Sequence, residues 1–349
     1  MDKKAEQHTI RAIQYGCGKM GCLIMKYLYE KGVEIVGAID NNSELIGKDI
    51  GDLIGVEQKL GITIHNDPEE VFTANPADIC IVAINGLLTE IYPLLTIPLK
   101  YGVNTITTCS EAVFPWTTAP EFAKRLDALA KKNYCTLTAS GYQDIFWGHL
   151  ITTLAGGSQK INAIGGTTFY NLEEYGLSMA QSCGAGFTID EFNKKIGQNN
   201  LLPSPIWNAA EWLAASLGWT VKNISQKLVP IIADQSTISS VLNKTIPPGD
   251  CLGLTASINL ETNDGPVIQI QHSSQVSNPQ VLNISEWIIR GESNTRLQLE
   301  QISTIKTACA TIVNRIPEVM MANPGYMTTH NWPYVSYHEH PLANYLPLK

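Results

Sequence analysis

Three glycines in "YGCGKMG", Gly16, Gly18 and Gly21, stand at G-x-G-x-x-G spacing. They directly follow the β-rich run "TIRAIQ" and open a helical run, and a second β-rich run, "VEIVGAID", ends in Asp40, 19 residues after Gly21. Glycines so placed permit a tight turn at Gly16, a close approach of backbone N–H groups to an anion at Gly18, and close helix-on-strand packing at Gly21. The helix start, with Lys19 and Met20, adds partial positive charge for a pyrophosphate. Asp40 is then expected to accept hydrogen bonds from adenosine ribose hydroxyls and to repel a 2′-phosphate, which favours NAD. The neutral Asn41 and Asn42, with Lys19 near the phosphates, leave room for NADP as well. The plainer alternative is an αβ unit whose glycines serve packing only.

A second group with chemical potential lies in "NTITTCSEAVFPW", Asn104 to Trp116, where a strand runs out into a loop carrying a single acid, Glu111. In an open α/β sheet, ligands bind beyond the carboxyl ends of the strands. The loops "AINGLL", with Asn85, and "TTCSE", with Thr108, Cys109 and Ser110, qualify for the nicotinamide end of a dinucleotide and bring Glu111 to where a hydride would move. If the substrate is a primary amine, its ammonium has a pKa of roughly 10.4, and deprotonating it at pH 7 costs on the order of 4–5 kcal/mol. A carboxylate could attract the cation, serve as base, and later activate the water that turns an imine into a ketone. Phe114 and Trp116 are expected to desolvate it and raise its pKa. An alcohol substrate more often calls for a Lys, Tyr or His base, and none stands in these loops. The competing reading is that Glu111 only favours or caps a helix N-terminus.

Other chemistries find no support. The seven histidines are dispersed, and the late "HEH" (His338, His340) lacks further ligands, so a solvated tail is expected and no metal. No G-x-S-x-G or P-loop occurs. A net charge of −8, with no basic run, argues against nucleic acid or an anionic membrane as partner. The start "MDKKAEQHTIR" has no apolar core, and no apolar stretch reaches the ~18–20 residues of a spanning helix. Eight scattered cysteines without C-x-x-C read as reduced thiols in a cytoplasmic protein.

The elements needed to position these residues are visible as an alternation. "TIRAIQYG", "VEIVGAID", "ITIH", "ADICIVAIN", "NTITT" and "TLTASG" are short β-rich runs, and the segments between them carry helical spacing, as in "PEFAKRLDALAKKNY". Such alternation predicts a Rossmann-type doubly wound parallel sheet over residues 1–145. From 146 to 302 longer strand runs follow one another, predicting an α+β second domain with an open mixed or antiparallel sheet and a few helices around 178–218. The helix and tail over 303–349 are expected to pack back on the first domain. The 349 residues suit two domains.

"IRAIQYGCGKMG", "TTCSEAVFPW", "ASGYQDIFWG" and "NRIPEV…PG" together resemble the 2,4-diaminopentanoate dehydrogenase group of the dihydrodipicolinate-reductase-like dehydrogenases, and within it the native amine dehydrogenases. The resemblance implies NAD(P)-dependent interconversion of a small primary amine with a ketone or aldehyde plus ammonia. It also implies Glu111 as the catalytic residue and a homodimer joined through the second-domain sheet. Trp147, Tyr142, Phe146 and Tyr170 would line the substrate pocket, although from pattern alone these aromatics read as core. His272 reads as a satisfied sheet histidine or a further pocket residue. "GYQDIFWG" replaces an Asn-Pro-Gly turn of the diaminopentanoate enzymes, favouring an uncharged amine over an amino acid. "AGGSQKINAIGG" lacks the His-His-x-x-Lys motif of the dihydrodipicolinate reductases, which argues against that activity. A diamino-acid dehydrogenase and a non-catalytic NAD-sensing protein are the competing functions.

Overall fold

Two of the first strands are short and largely apolar: Glu34–Ile39 buries five of its six residues and Ile79–Val82 all four. Strands buried on both faces fit a parallel sheet between two helix layers. The computed structural model describes residues 9–197, 203–278, 281, 283–300 and 303–347. It divides into two units, one formed by the chain up to Ile145 and again from Lys306 onward, the other by Phe146–Ile305. No helix among the described residues is long and apolar enough to cross a membrane.

The first unit alternates β1 (Arg11–Tyr15), α1 (Lys19–Glu30), β2 (Glu34–Ile39), α2 (Ile50–Ile54), β3 (Ile64–His65), α3 (Pro68–Ala74), β4 (Ile79–Val82), α4 (Leu88–Lys100), β5 (Asn104–Thr107), α5 (Pro120–Lys132) and β6 (Thr136–Ala139). Asp49 and Asp67 cap α2 and α3, each accepting the backbone N–H two residues on. The pairings are all parallel, and the strands lie in the order β6-β5-β4-β1-β2-β3. The sheet therefore builds outward in both directions from the β1–β4 neighbours, a topological switch point with the loops after β1, β4 and β5 at one end.

The second unit carries α6 (Leu150–Ala155), β7 (Ile161–Asn171), α7 (Leu177–Ser182), α8 (Ile189–Lys195), α9 (Pro205–Ser216), β8 (Val221–Ile232), β9 (Thr237–Ser239), β10 (Lys244–Ile246), β11 (Cys251–Thr262), β12 (Val267–Gln275), β13 (Ile284–Gly291) and β14 (Thr295–Glu300). Six strands form one mixed sheet in the order β14-β13-β7-β12-β11-β8, in which only β7 and β12 pair in parallel. Burial alternates along β12, as expected where one face is covered and the other open. The apolar α9 packs on β8, β11 and β12. The sequence reading did not pick out the small β9–β10 hairpin, whose three-residue strands are too short to show alternation. The fold is thus α/β, a doubly wound parallel sheet plus a second unit with a mixed sheet.

From Lys306 the chain belongs to the first unit again, through most of α10 (Thr304–Asn314), then α11 (Ile316–Met321) and β15 (Gly325–Tyr326). β15 pairs in parallel with β6 as a seventh strand, and α11 packs on β5 and β6. Arg315, between α10 and α11, is fully buried, and its Nε and Nη2 donate to Asp144 at 3.0–3.1 Å. Asp144 also accepts from Ser140 Oγ at 2.7 Å, and Arg315 Nη1 donates to the Pro333 carbonyl at 2.6 Å. The tail around "HEH" is largely exposed, as expected of a solvated segment, with one exception. His338 is buried with its ring 4.1 Å from that of Tyr345, and Lys31 Nζ donates to its carbonyl, while Glu339 and His340 are exposed.

Removing one partner of a desolvated pair leaves an unpaired buried charge. Asp144→Ala should therefore lower the unfolding free energy by about 3–5 kcal/mol, read by denaturant titration.

Candidate active site

The loop after β1 is built around two glycines that no other residue could replace without rearrangement. Gly16 has φ +94°, and a Cβ on Gly21 would lie 1.9 Å from the Gly16 carbonyl oxygen. The helix α1 that follows has Gly18 at its N-cap, in extended backbone, and no side chain caps it there. Gln14, fully buried in β1, donates from Nε2 to the Gly16 carbonyl at 2.9 Å and fixes the turn. Sequence reasoning missed this residue, although an amide among apolar neighbours next to the glycines is a visible signal.

Asp40, at the end of β2, accepts from Cys17 N at 2.6 Å and Asn42 N at 2.8 Å, one with each oxygen. A carboxylate offers about four lone-pair sites, so two remain for ribose hydroxyls. Asn41 and Lys19 are exposed and Met20 half-buried. The positive-φ turn, the close approach at Gly21, the uncapped helix start and the acid at the next strand end fit a dinucleotide phosphate and ribose.

The loops after β4 and β5 are tied to each other. Thr108 N donates to the Val82 carbonyl at 3.1 Å, and Cys109 Sγ donates to the Gly86 carbonyl at 3.3 Å. Burial pushes the Cys109 thiol up to about 12, so it stays protonated and serves as a strut rather than as a nucleophile. Asn85 is exposed and Ser110 half-buried, the latter accepting from Gln143 Nε2 at 2.9 Å. All eight cysteines are free.

Glu111 opens a short 3₁₀ turn, Glu111–Val113, and is only 6% exposed. Its Oε2 accepts from Leu88 N, the first residue of α4, at 2.6 Å, while Oε1 makes no hydrogen bond to a described residue. Glu90 Oε2 accepts from the neighbouring Leu87 N at 2.8 Å. Capping of a helix start, one of the two readings of Glu111, is realised, and it fixes the carboxylate in place with one oxygen to spare. The expected aromatic wall has a different set of partners. The Phe114 and Trp116 rings meet His330 and Tyr326 of the C-terminal segment, each pair with centroids 5.5 Å apart.

The second unit brings Trp147 and Tyr170 together. Their rings stack at 5.8 Å, and Tyr170 stacks on Tyr175 at 6.0 Å. The edge of His272 meets both, at 5.3 and 4.6 Å. Thr168 Oγ1 and Ser274 Oγ lie 2.7 Å from the two ring nitrogens of His272, which makes it a satisfied sheet histidine as well as a neighbour of the aromatic pair. Phe146 is half-buried here, and Tyr142 is buried in the first unit.

Comparison with known proteins gives matches along most of the chain. Residues 10–106 match the family of the dihydrodipicolinate reductase N-terminus, and residues 146–340 that of the 2,4-diaminopentanoate dehydrogenase C-terminal domain. A 2,4-diaminopentanoate dehydrogenase of Acetoanaerobium sticklandii is 25% identical over 333 residues, 93% of either protein. The solved structure of an amine dehydrogenase from Mycobacterium smegmatis is 36% identical, with a TM-score of 0.93, covering 96% of this chain and 99% of that one. A probable dehydrogenase from Thermotoga maritima shares the fold alone, at 14% identity and a TM-score of 0.58 over 92% of this chain and 91% of its own.

Burial holds the His272 imidazole down at about 3, against 6.5 for the free group, so it is neutral in the folded chain. Between those values the unfolded chain binds the extra proton, and stability falls as pH is lowered from 6.5 toward 3, by on the order of 1 kcal/mol per pH unit. Denaturant titrations across that range should show a shallower loss in His272→Gln than in the wild type.

Proposed function

The chain belongs to the family of the 2,4-diaminopentanoate dehydrogenase C-terminal domain, and from that premise we propose that it is an NAD(P)-dependent amine dehydrogenase acting on small primary amines. The observation that carries the reading is Glu111: a nearly buried carboxylate at the carboxyl end of β5, held by one oxygen and open at the other, in the unit with the glycine turn. A bound nicotinamide would accept the hydride in oxidative deamination and return it in reductive amination.

The chain's own part is to position and to move protons. Gly16, Gly18 and the start of α1 hold the pyrophosphate, and Asp40 the ribose, which supports NAD over NADP. Oε1 of Glu111 attracts the substrate ammonium and takes its proton, leaving the neutral amine whose lone pair expels the hydride. Once that proton has passed to solvent, the same oxygen takes another from the water that attacks the iminium carbon, and returns it to the nitrogen as the tetrahedral carbinolamine collapses to carbonyl and ammonia. In the second unit, the stacked Trp147 and Tyr170 are the residues we assign to contact with an apolar carbon skeleton. A homodimer and a cytoplasmic setting belong to the same reading.

A diamino-acid substrate, suggested by the Acetoanaerobium relative, would need a cation for its carboxylate. Arg315 is committed to Asp144 and the Pro333 carbonyl, and Arg296 to Glu286; Arg290 makes no ion pair among the described residues and lies with Glu286 on the open face of the second-unit sheet.

The test is NADH formation from NAD⁺ with a panel of primary amines at mildly alkaline pH. Glu111→Gln, which keeps an acceptor oxygen for Leu88 N, should lose roughly 10²–10⁴-fold in turnover while binding NADH as tightly as the wild type. Equal turnover in both proteins would end the role given to Glu111. Activity on diamino acids alone would move the substrate to that class, and cofactor binding without turnover on either would favour a sensor.

A further inference from the structure

The turn that carries Glu111 does not hold itself. Its three backbone hydrogen bonds, Ala112 N to Cys109 O, Val113 N to Ser110 O and Phe114 N to Glu111 O, are 3.2–3.3 Å long, beyond the usual 2.9–3.0 Å. A single 3₁₀ turn of three residues, with weak internal bonds, needs anchors from elsewhere to keep one geometry. The Oε2 bond to Leu88 N holds the end of the side chain, not the backbone.

The backbone anchor comes from the C-terminal segment. Tyr326, buried in β15, donates its phenolic O–H to the Ala112 carbonyl at 2.7 Å, and its ring lies 5.5 Å from that of Trp116. His330, four residues on, meets Phe114 edge to face, and Thr328 Oγ1 in turn bonds His330 Nδ1 at 2.8 Å. Tyr326 itself is immobilised by the β15–β6 pairing and by its own N–H donating to Asp127 Oδ1 at 2.9 Å. Three alternate residues, Ala112, Phe114 and Trp116, are thus gripped by one short stretch of residues. A buried phenol needs a hydrogen-bond partner, and here that partner is the carbonyl next to Glu111.

We infer that Tyr326 is a positioning residue for Glu111, its O–H fixing the 3₁₀ turn so that the free carboxylate oxygen keeps a single aim. The inference rests on the amine dehydrogenase reading for its catalytic consequence, but the clamp itself does not depend on that reading. Burial, and then the nearby Cys109 and Glu111, push the Tyr326 phenol well above its ordinary value, so it remains a donor throughout the working range and takes no proton from the substrate.

Tyr326→Phe deletes the one oxygen and keeps the ring against Trp116. Two measurements on the full-length variant decide the matter. Hydrogen–deuterium exchange should become roughly two- to tenfold faster in the peptide spanning Ala112 to Phe114, the equivalent of one lost hydrogen bond, with the β1 loop unchanged. With an amine that the wild type oxidises, kcat should fall roughly tenfold as the base loses its aim, while the affinity for NADH stays the same. A general loss of packing would instead raise exchange broadly and weaken cofactor binding too, which would overturn the inference. Unchanged exchange in the turn would remove the clamp, and faster exchange with unchanged kcat would remove its role in positioning. If the wild type oxidises no amine, the proposed function fails, and the exchange comparison alone then judges the clamp.

Discussion

A guanidinium and a carboxylate, both out of water, hold the first unit together. The chain leaves this unit at Ile145, next to Asp144, and re-enters it at Lys306 on α10, the helix that ends just before Arg315. Stripping two charges of water is costly, and the pair is tolerable because every strong donor and acceptor is used: two arginine nitrogens on Asp144, a third on a backbone carbonyl, and a serine hydroxyl on the remaining carboxylate capacity. Such a pair adds little net stability against an apolar alternative. Its effect is to allow one arrangement of the returning segment, because any other leaves a bare charge inside.

That registration reaches the chemistry. With α10 and α11 fixed by Arg315, β15 lies beside β6, and Tyr326 arrives behind the turn of Glu111. The carboxylate is thereby held from two sides, by the start of α4 on its side chain and by the C-terminal segment on its backbone. Capping and proton transfer are compatible roles for one carboxyl group because its two oxygens face different partners. An acid that was free at both oxygens would have to lose rotamer freedom each time it met a substrate, whereas Glu111 has lost it on folding.

The parts of this arrangement that the sequence displays are those made by neighbours in the chain. The glycine turn, its helix and Asp40 lie within one βαβ unit, and their spacing carries the geometry directly. The strand alternation of the first 145 residues is likewise local and gave the doubly wound sheet, just as the longer runs after it gave a second, mixed sheet. What is not displayed is long-range. The bond from Tyr326 to Ala112 spans 214 residues, and that from Asp144 to Arg315 spans 171. Nothing in either local stretch names its partner. Phe114 and Trp116 were readable as aromatics beside an acid, but whether they face the acid or a remote strand depends on where residues 326–330 come to lie. The burial of His338 is hidden for the same reason, since it comes from Lys31 and Tyr345 rather than from the pattern around it.

The seventh strand has a consequence for how the protein is made. Ribosomes release the chain from its N-terminus, and a domain folds as its residues emerge. Everything needed for the glycine turn and for six parallel strands is present once residue 139 is out, yet the cover for β5 and β6 and the partner for the open edge of β6 are not translated until after residue 315. In the interval the nascent sheet carries an unpaired edge and a bare apolar face, the two features that invite association with other chains. The second unit is synthesised entirely within that interval, so the burden of keeping the first unit apart from its neighbours falls on the helices already in place, and on whatever holds unfinished chains in the cell.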